Sequence, residues 1–196
     1  MTEGQVVELR PAPVARPKIM PDGVMGMLIF VFTEVMFFAG FISAFSVVRA
    51  RADGVWPPPG QPTLPFEQTA MNTTLLLASG AVTWSAWLAW RRQTGKAATR
   101  LLVAIVLGAG FVALQGREWV ALLAQGLTLT SSSLGSFFYV IVGAHGLHAL
   151  AAISALAWSW VKLRKGELPA SAFATVQVFW YFVVLIWPFI YFQVYR

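Results

Sequence analysis

The chain has 196 residues, of which 58% are hydrophobic and 11% are charged, and its mean hydropathy is +0.68. A water-soluble domain of this size is far less apolar, so the composition predicts a protein whose solvent is lipid. The sequence contains no cysteine, which excludes disulfides, thiolate metal sites, iron–sulfur clusters and a cysteine nucleophile. The net charge of +6 does not indicate nucleic-acid binding, because the basic residues lie between the apolar segments rather than in one block.

The N-terminal segment, residues 1–22, is polar and rich in proline. It lacks the apolar core that a cleaved signal peptide requires. We therefore expect residues 1–22 to form a poorly ordered cytoplasmic tail, followed by one bundle over residues 23–196.

Five apolar segments follow, each long enough to cross about 30 Å of hydrocarbon as a helix of about 20 residues. The third is the least clear, because Gln115, Arg117 and Glu118 interrupt it near one end. We expect Arg117 and Glu118 to lie at the membrane interface. The predicted fold is all-α, a polytopic bundle of five transmembrane helices, with spans at about 24–48, 71–90, 98–123, 133–161 and 173–195.

The basic residues predict the orientation, because lysine and arginine near membrane segments are retained on the cytoplasmic side. With a cytoplasmic N terminus, ten basic residues lie inside and four lie outside. An odd number of crossings then places the C terminus outside, so this bias also favours five spans over four or six.

Glu34 lies near the middle of the first span, about 15 Å into the helix at 1.5 Å per residue. An ionised carboxylate at that depth costs several kcal/mol unless it has a partner. Glu34 is therefore a candidate for proton handling. The alternative is a neutral acid that hydrogen-bonds between helices and only helps them to pack.

The two histidines of the chain, His145 and His148, lie three residues apart on the fourth span and so on one helix face. Glu34 would add a third metal ligand, but no fourth intramembrane ligand is visible, so we expect no metal site. A haem held by two histidines needs them on facing helices, so we expect no haem either. We interpret the histidines as polar side chains that bond neighbouring helices or a lipid headgroup.

Catalytic signatures are missing: the sequence has no glycine-rich phosphate loop, no serine triad and no zinc-protease motif. We therefore expect no active site of its own. A small proton-coupled transporter would also have a buried acid, but the inverted repeats and broken helices typical of that class are not visible. A membrane haem b cytochrome is a further alternative, which a visible spectrum would test.

Six motifs, in order, resemble those of the cytochrome c oxidase subunit III family. FVFTEVMFFAGFISAF resembles its acid-bearing helix, the following WPP resembles its next loop, and NTTLLLASGAVTW resembles its Asn-Thr helix. Gln115 with Glu118 and Trp119 is similar to its Gln-x-x-Glu-aromatic element. GSFFYVIVGAHGLHAL and FWYFVVLIWPFIY resemble its last two helices.

The resemblance implies an accessory subunit III of a haem–copper terminal oxidase in aerobic respiration, a complex that passes electrons from cytochrome c to O2. It implies no cofactor in this chain, with haem and copper held by partner subunits. Subunit I would be a direct partner, with subunit II and other respiratory subunits nearby. The resemblance also implies bound phospholipid, support of proton uptake and a route for oxygen from the bilayer.

Carried over by position, the resemblance makes Glu34 the buried carboxylate of the family and makes His145 and His148 its polar pair. It places Lys162 at a contact with a lipid phosphate. The chain resembles the five-helix bacterial form, which implies the inner membrane and a periplasmic C terminus. Tyr181 stands where the family usually has histidine, so polar lipid contacts do not all transfer. Subunit III of a quinol oxidase or of a nitric oxide reductase is the alternative, because this sequence separates the electron donors poorly.

Overall fold

The computed structural model describes residues 20–52 and 55–196, and in these residues it contains helices and no strand. The helices are α1 (Asp22–Ala50), α2 (Phe66–Arg91), α3 (Ala97–Ala124), α4 (Ser133–Arg164) and α5 (Ala170–Val194). The predicted all-α fold with five helices is confirmed. Most of the predicted tail, residues 1–19, lies outside the described residues.

Four of the described helices, α1, α3, α4 and α5, are long and apolar enough to cross a membrane. The helix α2 has 26 residues and so measures about 39 Å at 1.5 Å per residue. It has sufficient length, but it is less apolar because threonine, serine and asparagine side chains are frequent along it. The expected interruption of the third span does not break α3, which continues through Gln115 to Ala124.

Tight turns follow α3 and α4, and a glycine completes each of them. Gly126 and Gly166 adopt φ angles of 88° and 71°, in the left-handed region that glycine enters without steric cost. The following amide nitrogen returns to the helix in each case, with Leu127 bonding the carbonyl of Leu122 at 3.0 Å. These turns fold successive helices back antiparallel.

The helix α5 is central and α1 is peripheral. Eleven residues of α5 are buried, against only Phe38 and Phe45 of α1. The ring of Trp180 on α5 reaches α3 at a glycine, because a Cβ atom at Gly108 would lie 2.8 Å from it. The most extensive contact between helices is that of α2 with α3, and α1 covers one side of the bundle by packing on α5 and α4.

Candidate functional site

The first polar centre joins α1 to α4. The carboxylate Oε2 of Glu34 lies 3.1 Å from Nε2 of His148. The other ring nitrogen, Nδ1, lies 2.7 Å from the carbonyl oxygen of Ala144, one turn earlier on α4. The side chains of Glu34 and His148 are 19% and 18% exposed, so the pair reaches the outer surface of the bundle. Glu34 therefore has a partner on a neighbouring helix, as both of the predicted roles allow.

This geometry gives each ring nitrogen of His148 one hydrogen-bond partner. Nδ1 can bond the carbonyl of Ala144 only as a donor, since a carbonyl oxygen only accepts. Nε2 then accepts from a protonated Glu34, or donates to its carboxylate if the imidazole is charged. The pair is neutral overall in both states, which lowers the cost of placing it in lipid.

Aromatic rings surround the imidazole of His148. The ring centroids of four phenylalanines lie between 5.7 and 6.3 Å from it: Phe30, Phe38, Phe179 and Phe182. Such rings supply no competing hydrogen bond, so the bond to Glu34 is not exchanged for another protein partner on that side. The contact between Glu34 and His148 is therefore lined by apolar rings and is partly open at the surface of the bundle.

His145 does not join this pair, although it lies one turn from His148. It is 1% exposed and packs between the rings of Trp187 and Phe111, at centroid distances of 4.7 and 6.2 Å. The prediction of one shared role for the two histidines is therefore not supported by their contacts. In the described residues, Glu34 and the histidines are not gathered into a metal-ligand set.

The second polar centre surrounds Glu118, between α2 and α3. Its carboxylate accepts hydrogen bonds from the hydroxyl of Thr69 at 2.8 Å, the amide of Asn72 at 2.7 Å and the amide of Gln115 at 3.0 Å. Glu118 is only 6% exposed. The sequence predicts Glu118 at the membrane interface and Glu34 deep in the first span, and within the protein Glu118 is the more buried of the two.

Hydrogen bonds extend this second centre to α5 and to the C-terminal residues. The amide of Gln115 also donates to the hydroxyl of Tyr195 at 2.7 Å. The indole of Trp187 donates to the hydroxyl of Thr73 at 2.9 Å, and Thr73 donates to the carbonyl of Thr69 at 2.7 Å. The network around the carboxylate of Glu118 therefore connects α2, α3 and α5.

Sequence reasoning did not find this network, although its parts were visible. In the sequence, Asn72 belongs only to a family motif, and Gln115 and Glu118 are polar interruptions of the third span as well as a family motif. The usable signal was that two neighbouring apolar helices each carry polar side chains, which bond one another when they face inward. The missing information was the rotation of each helix about its own axis.

Lys162, at the end of α4, is already paired. Its ammonium lies 2.8 Å from the carboxylate of Glu167, and the two side chains are 37% and 54% exposed. Nearby, the guanidinium of Arg164 stacks over the ring of Trp160 at 5.1 Å. Basic and tryptophan side chains of this kind are typical of the membrane interface, which is the level at which a lipid phosphate would be met.

Comparison with known proteins gives a consistent result. The sequence model of the family described as cytochrome c oxidase subunit III matches residues 16–196. A probable cytochrome c oxidase subunit 3 from Nocardia farcinica is 31% identical over 191 residues, covering 95% of this chain and 92% of that protein. The cytochrome c oxidase subunit 3 of Latimeria chalumnae is 34% identical and that of Lycodon semicarinatus is 36% identical, and both matches cover 87% of this chain and 67% of the relative.

Proposed function

We infer that this chain, which belongs to the cytochrome c oxidase subunit III family, is an accessory subunit that stabilises the catalytic subunit of a haem–copper oxidase. The observation that carries this conclusion is the family match over residues 16–196. The exposed helix α1 supports it, because a helix with two buried residues leaves most of its apolar surface for lipid or for another subunit.

Copurification in mild detergent tests this function. We expect the tagged chain to bring down a large subunit, our proposed subunit I, together with subunit II. Haem and copper should accompany those partners, whereas the separated chain should show no haem absorbance and no stoichiometric copper. Companion subunits without copper would favour a nitric oxide reductase, and a complex that oxidises quinol directly would favour a quinol oxidase. A chain that purifies alone would contradict the proposal.

We further propose five membrane crossings, with a cytoplasmic N terminus and a periplasmic C terminus in a bacterial inner membrane. The contacts of α2 support this topology. Its Ser79 hydroxyl donates to the carbonyl of Ala104 at 2.7 Å, and its N-terminal part bonds Glu118. Polar side chains that lower the hydropathy of α2 are therefore bonded inside the bundle, where they do not oppose membrane insertion.

The lack of native cysteine makes this topology simple to test. Single cysteines at Thr94 and Thr128, in the loops on either side of α3, should react with an impermeant thiol reagent from opposite sides. We expect Thr94→Cys to react from the cytoplasm and Thr128→Cys from the periplasm. Reaction of both from one side would refute a crossing by α3.

The Glu34–His148 pair is our proposed proton-handling group. The 3.1 Å contact between an acid and an imidazole and the partial exposure of both side chains support this role. Lys162 is our proposed contact for a lipid phosphate, in which the phosphate would replace Glu167 as the partner of the ammonium. Both roles are additional to the assembly function, and either can be disproved while the assembly function stands.

A further inference from the structure

A cavity of about 820 Å³ lies between α3 and α4. Sites that hold lipid-like or drug-sized molecules span roughly 300–1,000 Å³, so this cavity is large enough for a ligand. It is distinct from the Glu34–His148 pair, which joins α4 to α1. Neither of those two residues lines it.

The cavity opens sideways, toward the lipid. Leu123, Leu129 and Leu147 line it and are 48%, 52% and 70% exposed. On its helical walls, a Cβ atom built at Gly116 or Gly146 would meet no atom within 4 Å. Because glycine has no side chain, these two positions leave space that a molecule dissolved in the bilayer can enter without crossing water.

Unpaired hydrogen-bonding atoms belong to three of the lining residues. They are Oε1 of Gln115, Nε1 of Trp119 and both ring nitrogens of His145, all buried and without a hydrogen bond to any described residue. His145 is 1% exposed and Gln115 is 7% exposed. A buried polar atom without a partner costs about 1–3 kcal/mol, so a molecule that moves these side chains enough to reach such an atom would gain the missing hydrogen bond.

These atoms specify an uncharged head. Gln115 Oε1 requires a donor, Trp119 Nε1 requires an acceptor, and a neutral imidazole offers one nitrogen of each kind. Within residues 20–52 and 55–196, no lysine or arginine lines the cavity, so a phosphate or carboxylate head would find no counter-charge among them. The aromatic residues Phe111, Trp119 and Tyr139 also line it, and their faces suit a flat ring.

We propose that this cavity binds a membrane-soluble quinone or quinol. The head group is a flat ring with oxygen atoms on opposite edges, which accept from Trp119 or His145 and, in the quinol, donate to Gln115. The apolar tail of the quinone extends past the exposed leucines into the bilayer. The inference concerns binding alone, assigns no electron transfer, and does not rest on membership of an oxidase complex.

Photolabelling tests the proposal. The full-length chain in nanodiscs would be labelled with an azido-ubiquinone, and the labelled peptides would be identified by mass spectrometry. We expect saturable labelling of α3 and α4, which unlabelled ubiquinone reduces and phosphatidylglycerol at equal concentration does not.

Two glycine variants provide the matched comparison. Gly146→Leu fills the cavity from its wall and should weaken labelling at least tenfold. Gly40→Leu, on α1, also enters open space and should leave labelling unchanged. His145→Leu removes one polar partner and should weaken labelling less than Gly146→Leu.

Three results would overturn the proposal. Labelling could spread equally over α1, it could persist in Gly146→Leu, or phosphatidylglycerol could displace the probe as well as ubiquinone does. If Gly146→Leu instead prevents copurification of another subunit while quinone labelling is absent from the native chain, a partner helix occupies the cavity and a quinone does not.

Discussion

The carboxylates Glu34 and Glu118 lie in two different regions of the same bundle. Glu34 lies on the peripheral helix α1 and has one side-chain partner, His148 on α4. Its side chain is 19% exposed. Glu118 has three donors from α2 and α3 and is 6% exposed. The difference shows that depth along an apolar segment does not decide how an acid is held. The number of hydrogen-bond donors on the facing helices decides how the acid is held. Glu118, with three donors, is suited to fasten helices, and Glu34, with one partner, is suited to exchange a proton.

The largest effect is expected for Glu118→Ala. Removing the carboxylate leaves one N–H of Asn72 and one of Gln115 without an acceptor, at about 1–3 kcal/mol each, whereas the hydroxyl of Thr69 keeps the carbonyl of Pro65 at 2.9 Å. We therefore expect a loss of at least about 2 kcal/mol of stability, measured by thermal unfolding in detergent. Glu167→Ala, at an exposed acid, is the control and should change stability little. Equal losses in both variants would show that the Glu118 network does not fasten the bundle.

Double-mutant cycles compare the two centres directly. For Glu118→Ala with Asn72→Ala we expect a coupling energy of about 1–3 kcal/mol, because both groups are buried and bonded. For Glu34→Ala with His148→Ala we expect about 0.6 kcal/mol, a typical value for polar pairs between membrane helices. A larger coupling at Glu34–His148 would reverse the structural roles that we assign.

Glu34→Gln should affect function more than stability. The glutamine amide can still bond Nε2 of His148, so the change in unfolding free energy should stay below about 1 kcal/mol. It cannot release a proton, so we expect slower proton uptake or a shorter turnover lifetime of the assembled oxidase. His148→Gln should give the same functional change. Unchanged proton uptake and turnover lifetime in both variants would show that the Glu34–His148 pair only helps the helices to pack.

The smallest effect is expected for Lys162→Ala. Exposed ion pairs contribute about 0–1 kcal/mol, so loss of the bond to Glu167 should hardly change the unfolding temperature. If Lys162 contacts lipid phosphate, the variant should retain less phospholipid after delipidation, as measured by phosphorus analysis. Arg164→Ala is the matched control, since its guanidinium stacks on Trp160. Equal phospholipid retention in the wild-type chain and Lys162→Ala would contradict the lipid role.

Most of the architecture could be predicted from the sequence, because each helix follows from its local composition. The five apolar segments, their glycine-containing linkers and their order need only the length of a membrane span and the residues that end a helix. The helix α2 was placed correctly, but it begins at Phe66 rather than near residue 71. Its first turn carries Glu67 and so does not contribute to the apolar signal.

The candidate sites were predicted less completely, since they depend on pairs of residues far apart in the chain. The sequence suggests Glu34 and His148 as neighbours only in a three-ligand metal site that we do not expect, and not as a directly bonded pair separated by 114 residues. Asn72 and Glu118 are separated by 46 residues, and their bond was not anticipated. The spacing of His145 and His148 correctly predicts that they lie one helical turn apart. The spacing does not predict which neighbouring residue each side chain contacts.

The sequence by itself determined the lipid solvent, the helices and the family of this protein, because hydropathy, helix signals and ordered motifs are local properties of the chain. Only the tertiary structure decided which acid is buried, which histidine has a partner and where a cavity opens. Those properties depend on the rotation of each helix and on the helix it faces. A small change in rotation moves a side chain from lipid to the interior without altering the apolar pattern that makes the helix.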